Sequence, residues 1–336
     1  MRLYELSGDG LEALRLVERP SPRPGPGEVL VRMRAATLNY RDLMIATGRY
    51  SRGPLKRPLV PLSDGAGIVA AVGPGVRRLS PGDRVASSFF QRWVDGPYDP
   101  EKGRSALGGA IDGVLGEEVV LEEGGAVKIP SAMSFEEAAA FPCAAVTAWV
   151  VLVVNGELRA GETVLCMGTG GVSIFALQIA KLLGARVVLT SSRDDKLARG
   201  KAIGADETIN YRTAPDWGER ARAKTGGRGV DHLLEVGGAK TLPQSLAALR
   251  EGGHLSIVGF LSGGRADPEA ASRNDRGIRV DSVYVGSARH LEEVFGAFTR
   301  AKVRPVVDRV FPFEEAPEAY RCLEQGEHFG KIAIRI

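Results

Sequence analysis

The sequence predicts an α/β protein in which a doubly wound parallel sheet is joined to a second, β-rich domain. Two observations predict this class. From about Thr147, short apolar segments alternate with amphipathic helical segments, as in parallel strands joined by helical crossovers. Before that point the chain is rich in turns and in short strand-like segments. At 336 residues it also exceeds the size at which a single core stops growing, so we expect two domains.

The N-terminal part contains short apolar segments separated by Pro- and Gly-containing turns. Five of them are predicted to be strands: Val29–Ala36, Gly67–Val72, Arg84–Ala86, Gly116–Leu121 and Ala126–Ile129. The first alternates apolar and polar residues, as a half-buried strand does. Ser134 and Glu137 then form a capping box, which predicts a helix that continues through Ala140. Residues 89–113 show no clear element and are predicted to be a loop.

In the second part, predicted strands alternate with predicted helices, which is typical of a parallel sheet. Six strands are predicted: Thr163–Met167, Arg186–Thr190, Glu207–Asn210, His232–Val236, His254–Val258 and Arg279–Tyr284. The helices between the first five are Val172–Leu183, Asp194–Ile203, Asp216–Lys224 and Thr241–Arg250. In such a sheet a ligand binds at the carboxyl ends of the strands.

The C-terminal segment is predicted to return to the first domain. It contains a helix, a strand, a second helix and a final strand: His290–Thr299, Val306–Val310, Ala316–Glu324 and Lys331–Ile336. We therefore place residues 1–144 and 287–336 in the β-rich domain and residues 145–286 in the doubly wound domain.

The first strand of the second part runs into a glycine turn and then into an amphipathic helix. The first glycine, Gly168, permits a tight turn, and the second, Gly170, lets the backbone approach a pyrophosphate at the helix N-terminus. Ser173 holds the third position of the pattern and is small enough for close packing of helix against strand. We expect a dinucleotide here, and the alternative is an ordinary structural turn. The predicted contacts are Gly168, Thr169, Gly170, Gly171 and Val172.

Composition excludes several classes. The hydrophobic fraction of 44% and the charged fraction of 25% are ordinary for a globular protein, and a net charge of +3 does not favour nucleic-acid or membrane partners. There is no run of ~18 apolar residues and no pattern of a signal peptide, so we expect a cytoplasmic protein. The three cysteines are scattered and do not favour a disulfide framework: Cys143, Cys166 and Cys322.

Several motifs in the same order carry a resemblance over nearly the whole chain. They are LNYRDLMIATGRY (Leu38–Tyr50), PLSDGAGIVAAVGPGV (Pro61–Val76), PGDRV (Pro81–Val85), CAAVTAW (Cys143–Trp149), GTGGVSIFALQIAKLLGA (168–185) and HFGKIAIRI (328–336). Together they resemble the medium-chain dehydrogenase/reductase superfamily, and within it the zinc-independent, quinone-oxidoreductase-like branch and its zinc-type alcohol dehydrogenase-like relatives. The resemblance implies a Rossmann dinucleotide-binding domain and a GroES-like catalytic domain.

The resemblance also shows which residues of this chain occupy the positions of zinc ligands in related enzymes. Zinc enzymes of the superfamily bind catalytic zinc through Cys, His and Cys, and these positions are Asn39, Ser63 and Cys143 here, with Asp64 beside Ser63. Amide and hydroxyl oxygens are poor zinc ligands compared with thiolate and imidazole. The four cysteines of a structural zinc lobe are missing from residues 89–113. We therefore expect no zinc.

The end of the second strand of the sheet bears on the choice between NAD and NADP. An NAD site usually has a carboxylate there, but residues 189–193 end in hydroxyls and a guanidinium. Ser192 and Arg193 suit a phosphate, Lys196 lies one turn further, and the resemblance adds Tyr211. We expect NADP(H). The alternative is that Ser192 only caps the following helix, whose first carboxylates complement its dipole, while Arg193 is solvated.

Without a metal, the expected chemistry is hydride addition to a conjugated system, because the arriving charge spreads over an enone or a quinone. Asn39 and Tyr40 are the predicted donors to the substrate oxygen, although Tyr40 could equally be a packed aromatic residue. Asp42 is expected to cap a helix that begins at Leu43 rather than to act as an acid.

Further residues are assigned mainly by the resemblance. The additional cofactor contacts that it implies are Cys143, Thr147, Val258, Gly259, Phe260, Val285, Gly286, Ser287, Gly330 and Lys331. The residues assigned to the substrate pocket are Ser63, Phe89, Phe90, Trp93 and Tyr284. Cys143 could instead fill space, and each aromatic residue could instead serve packing. No chemistry is assigned to the four histidines: His232, His254, His290 and His328.

Three hypotheses for function follow. The first is a zinc-free, NADPH-dependent reductase of quinones or α,β-unsaturated carbonyls. The second is an NADP-dependent alcohol dehydrogenase or aldehyde reductase with Tyr40 as the acid. The third is a nucleotide-binding protein with little turnover. The resemblance also implies a homodimer that pairs through the edge strand near Val280–Val285.

Overall fold

The structure is a computed structural model that describes residues 1–50, 58–261, 264, 266–272 and 275–336. The chain divides into two compact units. The first unit comprises Met1–Val146 and Val285–Ile336, and the second unit comprises Thr147–Tyr284. Among the described residues, no helix is both long and apolar enough to span a membrane.

The strands of the described residues are numbered in chain order. They are β1 (Arg2–Leu6), β2 (Leu14–Glu18), β3 (Glu28–Thr37), β4 (Asp64–Val72), β5 (Arg84–Ser87), β6 (Glu118–Glu122), β7 (Ala126–Lys128), β8 (Thr163–Met167), β9 (Arg186–Ser191), β10 (Glu207–Asn210), β11 (Val230–Glu235), β12 (Leu249–Ile257), β13 (Arg279–Ser282), β14 (Val307–Pro312) and β15 (Lys331–Arg335).

The α-helices are numbered in the same way. They are α1 (Tyr40–Ala46), α2 (Pro100–Gly103), α3 (Phe135–Ala139), α4 (Val146–Trp149), α5 (Gly171–Leu182), α6 (Asp194–Ala202), α7 (Trp217–Ala223), α8 (Leu242–Ala248), α9 (Pro268–Ser272), α10 (Ala288–Ala301) and α11 (Ala316–Gln325). Short 3₁₀ segments lie at Leu11–Ala13, Glu123–Gly125 and Phe313–Glu315, and π-helical segments at Phe141–Ala145 and Val150–Asn155.

The first unit is built on a sheet with the order β14-β15-β3-β4-β5-β7, in which β6 also pairs with β3. All pairs in this sheet are antiparallel except β14 with β15. Strand β3 alternates as predicted, and its buried residues Val29, Val31 and Met33 enter the core. Strands β1 and β2 form a separate antiparallel pair that the sequence interpretation did not assign.

The second unit contains the predicted doubly wound sheet. Its strands are all parallel and follow the order β10-β9-β8-β11-β12-β13. Strand β8 is buried along its whole length, as expected for the centre of a sheet covered on both faces. The order reverses between β8 and β11, and in such sheets the ligand crevice lies outside the carboxyl ends of the strands at this point. The predicted α/β class is therefore confirmed.

Two local predictions have different outcomes. The Ser134 and Glu137 capping box is confirmed, because each backbone N–H donates to the side chain of the other residue at 2.8 and 3.2 Å. The start of the helix predicted at Leu43 is wrong, since α1 begins at Tyr40. Asp42 nevertheless has the predicted capping role, because its Oδ2 accepts from the backbone N–H of Asn39 at 2.8 Å.

Candidate functional site

The glycine turn of the second unit leaves open space before a helix N-terminus. Gly168 has a φ of +72°, which permits the turn directly after β8. Gly170 is the N-cap residue of α5 and provides no side chain to the first turn. A Cβ atom placed on Gly168 or Gly170 would meet no described atom within 4 Å. The free N–H groups of the helix and this open space suit an anion such as a pyrophosphate.

Ser173, at the third position of the glycine pattern, forms a hydrogen bond that joins the helix to the strand. Its Oγ donates to the carbonyl oxygen of Met167 at 2.6 Å, and both residues are buried. The sequence interpretation credited Ser173 only with small size. The hydrogen bond shows that this departure from the glycine pattern holds the turn in place.

The end of β9 presents the polar groups that the sequence interpretation assigned to a phosphate. Ser192 is half-buried and Arg193 is exposed. Arg193 is the N-cap residue of α6, so the alternative in which Ser192 caps this helix is wrong. The Arg193 guanidinium is also not merely solvated, because its Nε and Nη2 atoms each lie 2.9 Å from an oxygen of Asp195. This pairing lowers the pKa of the Asp195 carboxyl.

Two further residues assigned to the cofactor lie near this strand end in different environments. Tyr211 follows β10, is 41% exposed, and donates its backbone N–H to the Ser191 carbonyl at 3.1 Å. Lys196 is buried in α6. The structure therefore brings Tyr211 and the end of β9 to one edge of the sheet, whereas Lys196 is largely enclosed by protein.

A buried carboxylate that the sequence interpretation missed organises the loop after β11. Both oxygens of Glu235 are engaged, because Oε1 accepts from the backbone N–H of Gly237 and Gly238 and from the hydroxyl of Thr241, and Oε2 accepts from Ser245. Its carbonyl oxygen also accepts from the backbone N–H groups of residues 258 and 259 at 2.8 and 3.1 Å. The loops that follow β11 and β12, which include the predicted contacts Val258, Gly259 and Phe260, are thus tied together.

The first unit contains a second group of candidate residues at the ends of three neighbouring strands. Thr37, at the end of β3, pairs with Asp64 at the start of β4 and with Ala333 on β15. This register brings Asn39, Asp64 and Lys331 together from distant parts of the chain. Asp64 is 0% exposed and Lys331 is 2% exposed, so both charges lie inside the protein.

The Asp64 carboxylate is satisfied by donors from several elements. Its Oδ1 accepts from the hydroxyl of Ser63 at 2.6 Å. Its Oδ2 accepts from the backbone N–H of Cys143 at 3.1 Å and lies 3.6 Å from the Nζ atom of Lys331. Cys143 and Lys331, which the resemblance assigned to the cofactor, and Ser63, which was assigned to the substrate pocket, therefore meet at one carboxylate.

Asn39 is held at three of its polar groups. Its backbone N–H donates to Asp42, and its carbonyl accepts from the backbone N–H of Asp42 at 2.9 Å. Its side-chain Oδ1 accepts from the Nζ atom of Lys331 at 2.6 Å. The remaining group, the buried Nδ2, has no hydrogen-bond partner among the described residues. The adjacent Tyr40 is 38% exposed.

Two groups of this region have altered acidity. Burial raises the pKa of Asp42 to about 6, and the charge of Arg41 at 3.7 Å opposes that increase. Burial also raises the pKa of the Cys143 thiol, and the Asp64 carboxylate raises it further. The thiol is therefore neutral at pH 7.

Three of the aromatic residues assigned to the substrate pocket form a packed cluster. Phe89 and Phe90 have ring centroids 4.7 Å apart, and those of Phe90 and Trp93 are 5.7 Å apart. All three side chains are buried, and the Arg41 guanidinium lies 4.2 Å from the centroid of the Phe89 ring. These contacts give each ring a packing role, and the assignment to substrate stays a prediction.

Strained or constrained backbone occurs beside several of the predicted residues. Leu62 and Val285 have φ values of +69° and +55°, which bulky or β-branched residues rarely adopt. Leu62 directly precedes Ser63, and strain of this kind clusters at functional sites.

Gly330 has a φ of +86°, and a Cβ there would lie 2.6 Å from the carbonyl oxygen of residue 306. Glycine is therefore required immediately before Lys331.

For Ser287, Thr147 and Tyr284, the structure shows burial or local contacts that do not indicate a ligand. Ser287 is the buried N-cap residue of α10, and its hydroxyl accepts from the backbone N–H of His290 at 3.3 Å. Thr147 is buried at the start of the second unit, and Tyr284 is half-buried at its end.

Comparison with known proteins identifies the family. Residues 25–131 match the alcohol dehydrogenase GroES-like domain, and residues 171–300 match the zinc-binding dehydrogenase domain. A zinc-type alcohol dehydrogenase-like protein of Schizosaccharomyces pombe is 42% identical over 334 residues, which cover 97% of this chain and 96% of that protein. The chain belongs to the medium-chain dehydrogenase/reductase superfamily. It is an oxidoreductase with a GroES-like unit and a Rossmann-like unit, as the resemblance implied.

Solved structures of this superfamily include proteins with either nicotinamide cofactor. A structure described as an NAD-dependent alcohol dehydrogenase is 37% identical, with a TM-score of 0.89 and full coverage (100%) of both chains. The Escherichia coli quinone oxidoreductase, solved with NADPH, is 26% identical, with a TM-score of 0.85 and the same 100% coverage of both chains. A nicotinamide dinucleotide is thus the cofactor class of these relatives.

The zinc that some members of the superfamily hold does not suit the donors of this medium-chain dehydrogenase/reductase. Asn39 Oδ1 already accepts from the Lys331 ammonium, which would repel a metal cation. Ser63 provides a hydroxyl that is engaged with Asp64, and Cys143 provides a neutral thiol. Within the described ranges, no three His, Cys, Asp or Glu side chains are grouped so that they could hold a metal ion.

Proposed function

We propose that this medium-chain dehydrogenase/reductase is a zinc-free enzyme that reduces quinones or α,β-unsaturated carbonyls with NADPH. The observation that carries the proposal is the buried Nδ2 of Asn39, a donor without a partner among the described residues, whose amide oxygen is bound by Lys331. A donor held in this way suits a substrate oxygen on which negative charge develops.

The proposed reaction depends on hydrogen bonding rather than on a Lewis acid. NADPH, when bound, supplies the hydride. The Asn39 amide N–H donates to the carbonyl oxygen of the acceptor and stabilises the charge that reaches it. Conjugation spreads this charge over the acceptor, so fewer donors suffice than for an isolated carbonyl.

We propose NADP(H) as the cofactor because of the groups at the end of β9. Hydroxyls and a guanidinium stand where an NAD site would have a carboxylate. The Arg193 guanidinium is exposed at this strand end and pairs with Asp195, and a guanidinium is suited to charge-assisted hydrogen bonds with a phosphate. Tyr211 adds an exposed aromatic ring at the neighbouring strand end.

A comparison of wild type with Arg193→Ala tests the cofactor. We expect NADPH to bind wild type at least about tenfold more tightly than NADH, and the variant to lose most of this difference. Arg220→Ala is the matched control, because Arg220 also pairs with an aspartate but lies on α7. Equal affinities of wild type for NADPH and NADH, measured by nicotinamide fluorescence, would refute the assignment.

The reaction itself is tested with wild-type protein, NADPH and a panel of benzoquinones, cyclic enones and aldehydes, followed by the loss of nicotinamide absorbance. We expect turnover with quinones or enones and no loss of rate after treatment with a zinc chelator. Turnover that requires one tightly held zinc per chain would contradict the proposal.

The second candidate is an NADP-dependent alcohol dehydrogenase or aldehyde reductase. It is favoured by Tyr40, an exposed residue next to Asn39 whose hydroxyl could donate a proton to an alkoxide. Oxidation of NADPH by aldehydes alone, with loss of rate in Tyr40→Phe, would support this candidate instead.

For the assembly we propose a homodimer. Strand β13 is the last strand in the order of the second unit's sheet, so one of its edges has no strand partner among the described residues, and an edge of this kind can pair with a second copy. Light scattering on the purified protein tests this, and a monomer at micromolar concentration would argue against it.

A further inference from the structure

We propose that Lys331 is a positioning residue of the reaction site, which orients the Asn39 amide and places positive charge behind it so that Nδ2 binds an oxyanion. The ligand class is an enolate or a phenolate, the form that an enone or a quinone takes after it has received a hydride and before a proton from solvent completes the reduction. This inference rests on the proposed function for the identity of the reaction. The geometry of Asn39 and Lys331 supports it independently.

The ammonium of Lys331 is fixed by acceptors of the first unit. It donates to the carbonyl of Leu38 at 2.7 Å and to Asn39 Oδ1 at 2.6 Å, and it lies 3.6 Å from Asp64 Oδ2. The side chain is 2% exposed, so water does not compete for these contacts. An ammonium has three protons, and each has a protein acceptor nearby. Lys331 therefore acts through its neighbours and does not need to touch the substrate.

This contact decides which way the Asn39 amide faces. An ammonium can only donate, so the group 2.6 Å away must be the amide oxygen and not the amide nitrogen. The backbone of Asn39 is fixed at the same time by its two hydrogen bonds with Asp42. The Nδ2 group is consequently held in one orientation with its protons directed away from Lys331.

A buried donor without a partner needs an explanation. Leaving one unsatisfied destabilises the folded protein, and most buried polar groups in native structures are hydrogen-bonded. Asn39 Nδ2 is such a donor among the described residues, whereas Oδ1 of the same side chain has a charged partner. A ligand oxygen is the natural partner for Nδ2.

The positive and negative charges around Asn39 are equal in number. Two cations and two anions surround it, with Arg41 3.7 Å from Asp42 and Lys331 3.6 Å from Asp64. The cluster is therefore neutral before a ligand binds. Within it, the hydrogen bond from Lys331 draws electrons toward Oδ1 and makes the Nδ2 protons better donors, because bonds in a chain polarise one another.

The experiment compares Lys331→Met, Lys331→Arg and Asn39→Ala with wild type. Lys224→Met is the matched control, since Lys224 also pairs with a carboxylate at 2.6 Å but lies at the end of α7. The probe is 4-nitrophenol, whose phenolate absorbs visible light, added to protein saturated with NADP⁺. NADPH affinity, kcat and KM for a quinone are measured on the same variants.

We expect wild type to lower the apparent pKa of bound 4-nitrophenol, and Lys331→Met and Asn39→Ala to abolish the shift. We expect kcat to fall about 100-fold in Lys331→Met, as for loss of one oxyanion donor, while NADPH affinity and KM change less than about threefold. A double variant that combines Lys331→Met with Asn39→Ala should lose no more kcat than the single variants, because both substitutions act through one group. Lys331→Arg should recover part of kcat, and Lys224→Met should match wild type.

Several outcomes would overturn the inference. One is that 4-nitrophenol has the same pKa bound to wild type as free in solution. Another is that the pKa is lowered equally by wild type and by Lys331→Met. A third is a loss of NADPH affinity at unchanged kcat, which would make Lys331 a cofactor contact. If Lys331→Met does not fold, Lys331→Gln, which retains a neutral donor, provides the same comparison. If wild type reduces none of the acceptors, the proposed function is refuted. A change in the pKa of bound 4-nitrophenol that depends on Lys331 would still support the inference.

Discussion

The hydroxyl of Ser173 lies 2.6 Å from the carbonyl oxygen of Met167 and joins the first turn of α5 to the end of β8. Both residues are buried, so water cannot replace this bond. The turn between them contains Gly168 and Gly170, where a pyrophosphate is proposed to bind. The serine thus fixes the two ends of the turn whose backbone must face the ligand.

Replacement of Ser173 by glycine completes the glycine pattern, yet we expect it to destabilise the protein. The carbonyl of Met167 would lose its hydroxyl donor, and glycine is unfavourable within a helix. Together these effects predict a loss of about 1–2 kcal/mol in the free energy of unfolding. Urea unfolding measures it, with Ser131→Gly at an exposed turn as the control. A variant as stable as wild type would show that the hydrogen bond contributes nothing.

A second prediction concerns the acidity of Asp42. Its pKa is raised to about 6 by burial, against an ordinary value of 3.8. The folded state therefore holds this proton more tightly than the unfolded state does. The resulting stabilisation is complete below about pH 4 and is lost as the pH rises through about 6, which amounts to about 3 kcal/mol for a difference of two units.

Asp42→Asn should remove this dependence, because the amide does not titrate. We expect the free energy of unfolding of wild type to fall relative to that of the variant between pH 4 and pH 7. Urea unfolding at several pH values gives both curves. Parallel curves over this range would mean that the carboxyl of Asp42 has the same pKa in the folded and unfolded states.

A third prediction follows from the pair of Arg193 and Asp195. The carboxylate is bonded to the guanidinium at 2.9 Å and would stand close to a phosphate bound there. Asp195→Asn should remove repulsion and free guanidinium donors, so we expect NADPH affinity to rise about two- to fivefold. NADH, which lacks the phosphate, should bind as before. An equal gain for both cofactors would place the phosphate elsewhere.

The parallel sheet was predictable because its strands are short buried runs separated by helices with clear ends. Thr163–Met167 and Glu207–Asn210 were predicted with their observed bounds. The extent of β12 was not, because residues 250–253 are charged or glycine, and in this first part of the strand only Leu249 pairs with β11, opposite Val230. The β1 and β2 pair was missed because charged residues interrupt its few buried ones.

The candidate site was predictable only as a set of separate residues. Motifs pointed to Asn39 and Lys331, but these are 292 positions apart, and no local pattern indicates that they share a hydrogen bond. Their contact depends on the pairing of β15, β3 and β4, which is a property of the whole sheet. By contrast, the donors to Glu235 follow it within ten residues. An acidic strand end followed by two glycines and a threonine is a local signal that could have been recognised.

The histidines of the second unit, to which the sequence interpretation gave no role, form a buried chain. The Nδ1 atoms of His232 and His254 lie 3.3 Å apart. On the outer sides, His232 Nε2 lies 3.0 Å from Glu162 and His254 Nε2 lies 3.2 Å from Asp281. Asn155 and Ser256 also hydrogen-bond to the outer carboxylate, Asp281.

This chain predicts a loss of stability in acid. Burial lowers the pKa of His232, although Glu162 opposes that effect, so the ring takes up a proton less readily in the folded state. The stabilisation from the neutral ring is therefore complete above the ordinary pKa of about 6.5 and is lost as the pH falls below it. The pKa of Asp281 is lowered against the effect of burial by hydrogen bonds from His254 and Ser256, and that contribution is also lost in acid.

His232→Gln should flatten the fall in unfolding free energy between pH 7 and pH 5. The slope from Asp42 has the opposite sign, so the comparison is made in the Asp42→Asn background, where only the histidine chain and the common acid groups titrate. In that background we expect the unfolding free energy of the parent to fall more than that of the His232→Gln variant over this range. If the parent and the variant keep the same difference at every pH, the ring of His232 has the same proton affinity in the folded and unfolded states, and the chain is only a packing arrangement.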